Sequence, residues 1–355
     1  MAYTTIKKPS DYFNTKLYAG TDSAQSETGV GFQPDFTWIK VRNYGGSASF
    51  EHVLTDAVRG ANKTLTSDST EAETINNATG YLSSFDSDGF SLAAGATSID
   101  AVAGGGRNYV AWNWLGANGT ASNTDGSITS TVSANTTSGF SIVSYTGNGV
   151  SGATIGHGLG VTPKIIIVKN RTGTTNPWWV YASTIGAGGQ LRLNETNAQG
   201  SDGGVIWNST EPTSSVFSVG DNGGSNGSGN PIIAYCFAEV KGFSKFGSYV
   251  GNGSTNGTFV YCGFKPAWVM VKRTGIASWF IKDNKRDPFN PAEQTLAPDS
   301  TSSEAGWGTG DDIDLLSNGF KMKDNTTSTN LAGNTYIYMA FAEEPLVGDN
   351  PATAR

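Results

Sequence analysis

Three stretches decide how this chain is read: Pro34-Asp-Phe-Thr-Trp-Ile-Lys40, Pro163-Lys-Ile-Ile-Ile-Val-Lys169 and Pro266-Ala-Trp-Val-Met-Val-Lys272. Each is a proline, an apolar run and a lysine six residues on. A glycine and a bulky apolar residue come before each one (Gly31-Phe32, Gly160-Val161, Gly263-Phe264), and an arginine comes after (Arg42, Arg171, Arg273). Further along, each unit closes on a second apolar run, at 109–116, 232–239 and 336–343. Self-similarity of this kind fixes the architecture before any local reading does. The chain reads as three diverged modules, 1–117, 139–240 and 241–355, with a Gly/Ser/Thr/Asn-rich linker at 118–138. In that linker, Ser127-Ile-Thr-Ser-Thr-Val alternates like an edge strand.

The pattern inside each module is that of strands. Proline at the first position of a strand costs no ladder hydrogen bond. The residues after it are apolar at consecutive positions, as expected of a strand covered on both faces. Tyrosine strands followed by glycine turns open the modules, at Tyr18, Tyr145 and Tyr249, and the last two turns contain Asn-Gly. No apolar pattern of helical period extends beyond a turn or two. The fold class expected is all-β, three tandem β-sandwich or jelly-roll modules with very little helix. At just over 100 residues, each module is large enough to bury a core of its own.

Composition narrows the function. The net charge is −7, and the only basic clusters, Lys7-Lys8 and 282–286, are too small for a nucleic-acid footprint. No apolar run approaches the roughly 20 residues of a membrane span, and the first residues show no signal-peptide core. Cys236 and Cys262 lie in strand segments of different modules and read as two buried thiols. His52 and His157 occupy non-equivalent places, and a surface or turn role is expected of both. Asp86-Ser-Asp88-Gly89 opens like a calcium loop but lacks the distal glutamate, so it reads as turn chemistry. Asp56-Ala-Val-Arg59 and Asp283-Asn-Lys-Arg286 repeat at equal spacing after an aromatic strand, as a turn pinned by an Asp–Arg pair would. No nucleophile elbow, zinc-protease or phosphate-loop motif occurs. No catalytic residue, metal ligand or cofactor is therefore expected.

The remaining candidates are contact residues. Trp178, Trp179 and Trp307 lie near polar, glycine-rich loops, and aromatics offer large contact area at low entropy cost. The acidic loop of Asp311, Asp312 and Asp314 is the best cation candidate in the chain, although a solvated loop is the simpler reading. These six residues are the expected points of contact with a partner.

The run Gly-Phe-x-Pro-Asp-Phe-x-Trp-Ile-Lys-x-Arg (31–42), Asp-Ala-Val-Arg-Gly (56–60), Ser-Phe-Asp-Ser-Asp-Gly-Phe-Ser-Leu (84–92) and Tyr-Val-Ala-Trp-Asn-Trp (109–114) resembles virion structural proteins of marine tailed phages. So do the segments 156–163, 237–249 and 336–343. The resemblance covers nearly the whole chain and implies tandem lectin-type sandwiches in a tail-fibre-like protein on the virion exterior, made in the host cytoplasm. It brings no catalytic residues. A tail-associated adhesin is the leading expectation. A capsid decoration protein whose three modules mimic a trimer is the alternative, and a polysaccharide depolymerase comes third. The implied partners are other tail or capsid proteins and a host surface glycan or protein, without nucleic acid or membrane insertion. Self-association is left open.

Overall fold

The computed structural model describes residues 4–44, 49–75, 80–95, 100–304 and 310–353. The chain is all-β. Helix is scarce: a short 3-10 turn, Pro9–Asp11, and one α-helical turn, Gly223–Asn226, stand among the strands. Each of the three repeats contributes one large antiparallel sheet and one small one. In the large sheets the order is opening strand, closing strand, proline strand, flank strand. In the first repeat these are Phe13–Ala19, Arg107–Trp114, Phe36–Tyr44 and Val53–Asp56. The second repeat has Phe140–Thr146, Pro231–Phe237, Ile165–Asn170 and Trp179–Ala182, and the third has Ser244–Val250, Thr335–Pro345, Phe264–Arg273 and Trp279–Asp283. The two apolar runs seen in the sequence thus pair side by side at the middle of every large sheet.

The segment 118–138 is more than a linker. It holds two strands, Ala121–Asn123 and Ser130–Asn135, which extend the second large sheet beyond its opening strand. Ile128 then forms a parallel bridge to Ile155 of the second small sheet.

Alternation along the proline strands explains their unbroken hydrophobicity. In the first repeat, Ile39 and Val41 pack into a cluster with Phe90 and Leu92 of the small sheet. Phe36 and Trp38 point the other way, into a second cluster. The other two repeats have outer cores of their own, built around Phe217 and Phe320. The inner cluster is shared. It gathers Trp38, Trp112 and Trp114 from the first repeat, Ile167 and Tyr235 from the second, and Trp268, Met270 and Met339 from the third. The three large sheets therefore face one another around one common core.

Register shows how regular this arrangement is. Trp114 pairs with Phe36, Phe237 with Ile165 and Phe341 with Trp268, so Trp114, Phe237 and Phe341 are equivalent. All three rings touch pairwise, at centroid distances of 6.4, 5.7 and 6.0 Å, and every pair meets edge to face. Three equivalent side chains in mutual contact surround an axis, and the chain is a closed ring of three around it. Burial of this shared core couples the repeats energetically. Trp114→Ala is expected to cost about 3–5 kcal/mol, and calorimetry should show one unfolding transition for the whole chain. Separate transitions for separate repeats would contradict a common core.

Candidate functional site

The seams between repeats hold the densest polar chemistry in the molecule, and they are built from the sequence signature itself. Lys40, Lys169 and Lys272, the lysines that close the three Pro-to-Lys segments, are at most 1% exposed. Each crosses to the next repeat. Lys40 donates to Thr301 O (2.8 Å) and to Phe50 O. Lys169 donates to Thr70 O (2.8 Å) and Asn176 O (2.6 Å). Lys272 donates to Thr196 O (3.4 Å), Arg273 O (2.9 Å) and Gly275 O (3.1 Å). Thus repeat one reaches repeat three, two reaches one, and three reaches two. Burial pushes each of these ammonium groups from 10.5 down to about 8.

A second contact follows the same cycle. By ladder register His52, Trp178 and Trp279 stand at one position, beside those lysines. Trp178 Nε1 donates to Thr66 O at 2.8 Å and Trp279 Nε1 to Arg192 O at 2.9 Å, and Thr66 and Arg192 are themselves equivalent. His52 takes this place in the first repeat. Its Nδ1 accepts from Trp38 Nε1 at 2.9 Å, which leaves the proton on Nε2, and it meets the Ala297 backbone of the third repeat. Burial, and then the charge of Lys40, hold this imidazole well below its ordinary range, so it is neutral.

The third contact is ionic and occurs at two seams only. Asp56 and Arg59 form a buried pair at 2.5 Å, and Asp283 and Arg286 form another at 2.5 Å. In both, the aspartate also accepts the arginine's own backbone N–H, which is the pinned turn expected from the spacing. The neighbouring repeat then completes each pair. Tyr235 OH donates to Asp56 Oδ2 at 2.7 Å, and Trp112 Nε1 donates to Asp283 Oδ2 at 3.0 Å. Glu73 lies between Arg59 of its own repeat (3.1 Å) and Arg171 of the second (2.7 Å). Glu304 lies between Arg286 (3.1 Å) and Arg42 of the first repeat (2.9 Å). Burial works against the charge on Arg59 and Arg286. The adjacent carboxylates outweigh it and hold both guanidinium groups protonated. At the third seam the register places Ala182 where the other repeats have Asp56 and Asp283. Ile185, Gln199 and Met339 replace the arginine, the glutamate and the donor. Arg273 stands at the ladder position of Val41 and Asn170 rather than that of Arg42 and Arg171, and bonds Asn334 Oδ1 of its own repeat at 2.6 Å.

The residues expected to touch a partner are distributed differently. Trp178 is fully buried and Trp179 is 6% exposed, so both are seam and core residues rather than surface contacts. Their strand is covered on both faces, one by the common core and the other by the second outer core. Trp307 lies outside the described residues. Asp311, Asp312 and Asp314 are half-buried and do not converge. Asp311 accepts from Thr326, Asp314 pairs with Lys323 at 3.3 Å, and Asp312 uses its backbone carbonyl to accept from Lys323 N. Among the described residues, no group of three His, Cys, Asp or Glu side chains is placed to hold a metal ion. His52 and His157 are both fully buried, so neither lies on the surface; His52 serves a seam, while His157 keeps the turn role expected of it. His157 Nδ1 accepts the Leu159 N–H at 3.2 Å, and its Nε2 lies 3.2 Å from Thr213 O. Cys236 and Cys262 are free and buried. The Asp88 carboxylate accepts the backbone N–H groups of Gly29 (2.9 Å) and Gly31 (2.7 Å), so it ties its hairpin to a neighbouring loop rather than capping its own turn.

Residues 8–345 match the family described as "Domain of unknown function (DUF7483)", and the chain belongs to it. No curated protein and no solved structure matches the chain.

Two outcomes follow from the seams. Removing Asp283 leaves the buried Arg286 with Glu304 as its one carboxylate and Trp112 Nε1 without its acceptor, so Asp283→Ala should cost about 3–5 kcal/mol. Rebuilding that seam in the pattern of the third one, with Trp112→Met, Asp283→Ala, Arg286→Ile and Glu304→Gln together, should cost much less than the sum of the four single changes in urea unfolding. The pH dependence follows from the lysines. A lysine whose folded pKa is depressed stabilises the fold fully above 10.5, and that stability is lost as pH falls through about 8. Lys282, also lowered to about 8, adds to the three seam lysines. The urea midpoint should therefore rise from pH 7.5 to pH 9 and rise less steeply in Lys272→Met. Beyond that window the two buried thiols oppose the gain, because burial raises them from 9.0.

Proposed function

We propose that this chain is a non-enzymatic structural protein on the outside of a tailed-phage virion, seated as a decoration protein on a three-fold or quasi-three-fold position of the capsid. The observation that carries this reading is the closed ring, in which three equivalent aromatic rings meet on one axis and equivalent lysines pass cyclically from each repeat to the next. Such a ring sets three equivalent frameworks in a trigonal arrangement from one polypeptide. A partner with a local three-fold axis can engage all three at once, and linked weak contacts multiply into firm attachment. The same geometry moves the reading away from the tail fibre that the sequence resemblance implies first, since the described residues form a ring rather than a shaft. The ion pairs and cationic side chains at the seams are spent on joining repeats, which suits a building part better than a reaction centre.

The test is copy number. Quantitative mass spectrometry of purified virions should give a fixed ratio to the major capsid protein, equal to the number of three-fold or quasi-three-fold positions. Cryo-electron microscopy should then place the density of one chain over each such position. A small copy number confined to the tail would overturn the capsid placement and restore the adhesin. Absence from purified virions would overturn the virion reading as a whole.

A further inference from the structure

We infer that the outer face of the third small sheet is a saccharide-binding platform, with Phe259 and Tyr261 as the stacking rings. This does not depend on where the chain sits on a particle. The three small sheets can be aligned on their core phenylalanines, Phe90, Phe217 and Phe320, whose cross-strand partners are Glu27, Ile155 and Val260. The residues on either side of those partners share one face. They are Ser26 and Thr28 in the first repeat, Thr154 and Gly156 in the second, and Phe259 and Tyr261 in the third. In the first repeat the face is exposed and carries hydroxyls, with Ser26 and Ser91 paired at 2.8 Å. In the second it is partly covered by the chain, because Asn123 lies over Gly156, where a Cβ would stand 1.6 Å from its Oδ1, and Ser127 bonds the Thr154 hydroxyl. Only in the third does an open face carry aromatics. Phe259 is 44% exposed and Tyr261 56%.

The fold does not need rings there, since the first repeat builds the same strand with serine and threonine. Their surroundings point to a sugar rather than to an apolar surface. The cross-strand neighbour of Phe259 is Lys321, whose ammonium is bonded to Asn256 Oδ1 at 2.5 Å. Beyond Lys321 stands Asp314, paired with Lys323 at 3.3 Å. Tyr261 faces Gly319, where a Cβ would lie 2.0 Å from Val260 O, so no side chain can cover that side of the ring. Two rings two residues apart on one strand stand roughly 6–7 Å from each other. An extended oligosaccharide can lay its C–H faces on both and direct its hydroxyls to the lysine, asparagine and aspartate at the edge. A lipid or an apolar protein surface would strip water from the Lys321 ammonium and the Asp314–Lys323 pair on the same footprint without replacing it, which costs free energy.

The experiment uses the full chain and a panel of neutral gluco-, N-acetylgluco- and manno-oligosaccharides. Saturation-transfer NMR should show at least one panel sugar taking up magnetisation from aromatic protons. Phe259→Ser with Tyr261→Thr, the residues of the first repeat, should weaken that binding by about tenfold or more. Phe259→Tyr with Tyr261→Phe should retain it. Far-UV circular dichroism and the urea midpoint verify that both variants fold. The inference is overturned if no panel sugar binds the wild-type chain, or if binding survives the Ser/Thr variant. It is equally overturned if that variant instead dissolves a dimer in sedimentation, which would assign the rings to a second copy.

Discussion

The contact on which the rest depends is the meeting of Trp114, Phe237 and Phe341. Trp114 and Phe237 end the closing strands of their repeats, Phe341 holds the equivalent place within a longer one, and each lies on the sheet face turned away from that repeat's small sheet. Without the other two repeats this face of every large sheet would expose a band of Trp, Phe and Ile to water. A strand apolar at every position needs cover on both sides. The small sheet provides it on one side and the neighbouring large sheets on the other. Each repeat thus has an outer core of its own and one-third of an inner core.

Cyclic closure gives the repeated motif a physical meaning. The lysine of each Pro-to-Lys strand is held at the edge of the inner core, where burial disfavours its charge. What offsets that cost is a set of backbone carbonyls on the next repeat. Those carbonyls belong to Thr70, Thr196 and Thr301, each four residues past the position that accepts, or faces, the Trp/His contact. The loop that receives the lysine therefore also receives the indole, and at two seams it carries the glutamate as well. A buried ammonium bonded to backbone carbonyls fixes distance and direction together, so the lysines set register around the ring while the aromatic rings supply most of the burial.

Much of this was legible in the sequence, and the part that was not has a definite cause. The repeats, the all-β class and the Asp–Arg turns follow from local patterns, because a strand or a turn leaves its period and its punctuation in neighbouring residues. The common core did not follow, because nothing local distinguishes a strand face that meets its own small sheet from one that meets another repeat. Trp178 and Trp179 were misassigned for this reason. Their polar, glycine-rich neighbours lie in loops, but both rings point into cores. His52 was misread because its equivalence to Trp178 and Trp279 appears only once the ladders are aligned. The alternation at 127–132 pointed to the strand found at 130–135, whereas the strand at 121–123 was hidden by a composition rich in small polar residues, which edge strands and linkers share. Phe259 and Tyr261 could have been noticed as two aromatics where the first repeat has Ser and Thr, but only with the register of the small sheets in hand.

The third seam shows what covalent linkage permits. In a trimer of identical chains every seam must change at once, because one gene encodes all three. Here the aspartate, arginine, glutamate and hydrogen-bond donor of one seam are replaced together by Ala182, Ile185, Gln199 and Met339, while the other two seams keep their networks. The set makes sense only as a group. A tyrosine or tryptophan at 339 would bring a polar N–H or O–H to a buried place where Ala182 offers no acceptor, and an arginine at 185 would lack its carboxylates. Buried ion networks and apolar packing of similar volume are close in net free energy, so a seam can pass from one to the other provided no partner is left behind. The same freedom reaches the outer faces. Once the ring is closed by its inner surfaces, each small sheet can differ from the other two without disturbing the axis. Hydroxyls on the first, the chain's own segment over the second and aromatics on the third are three independent uses of one strand.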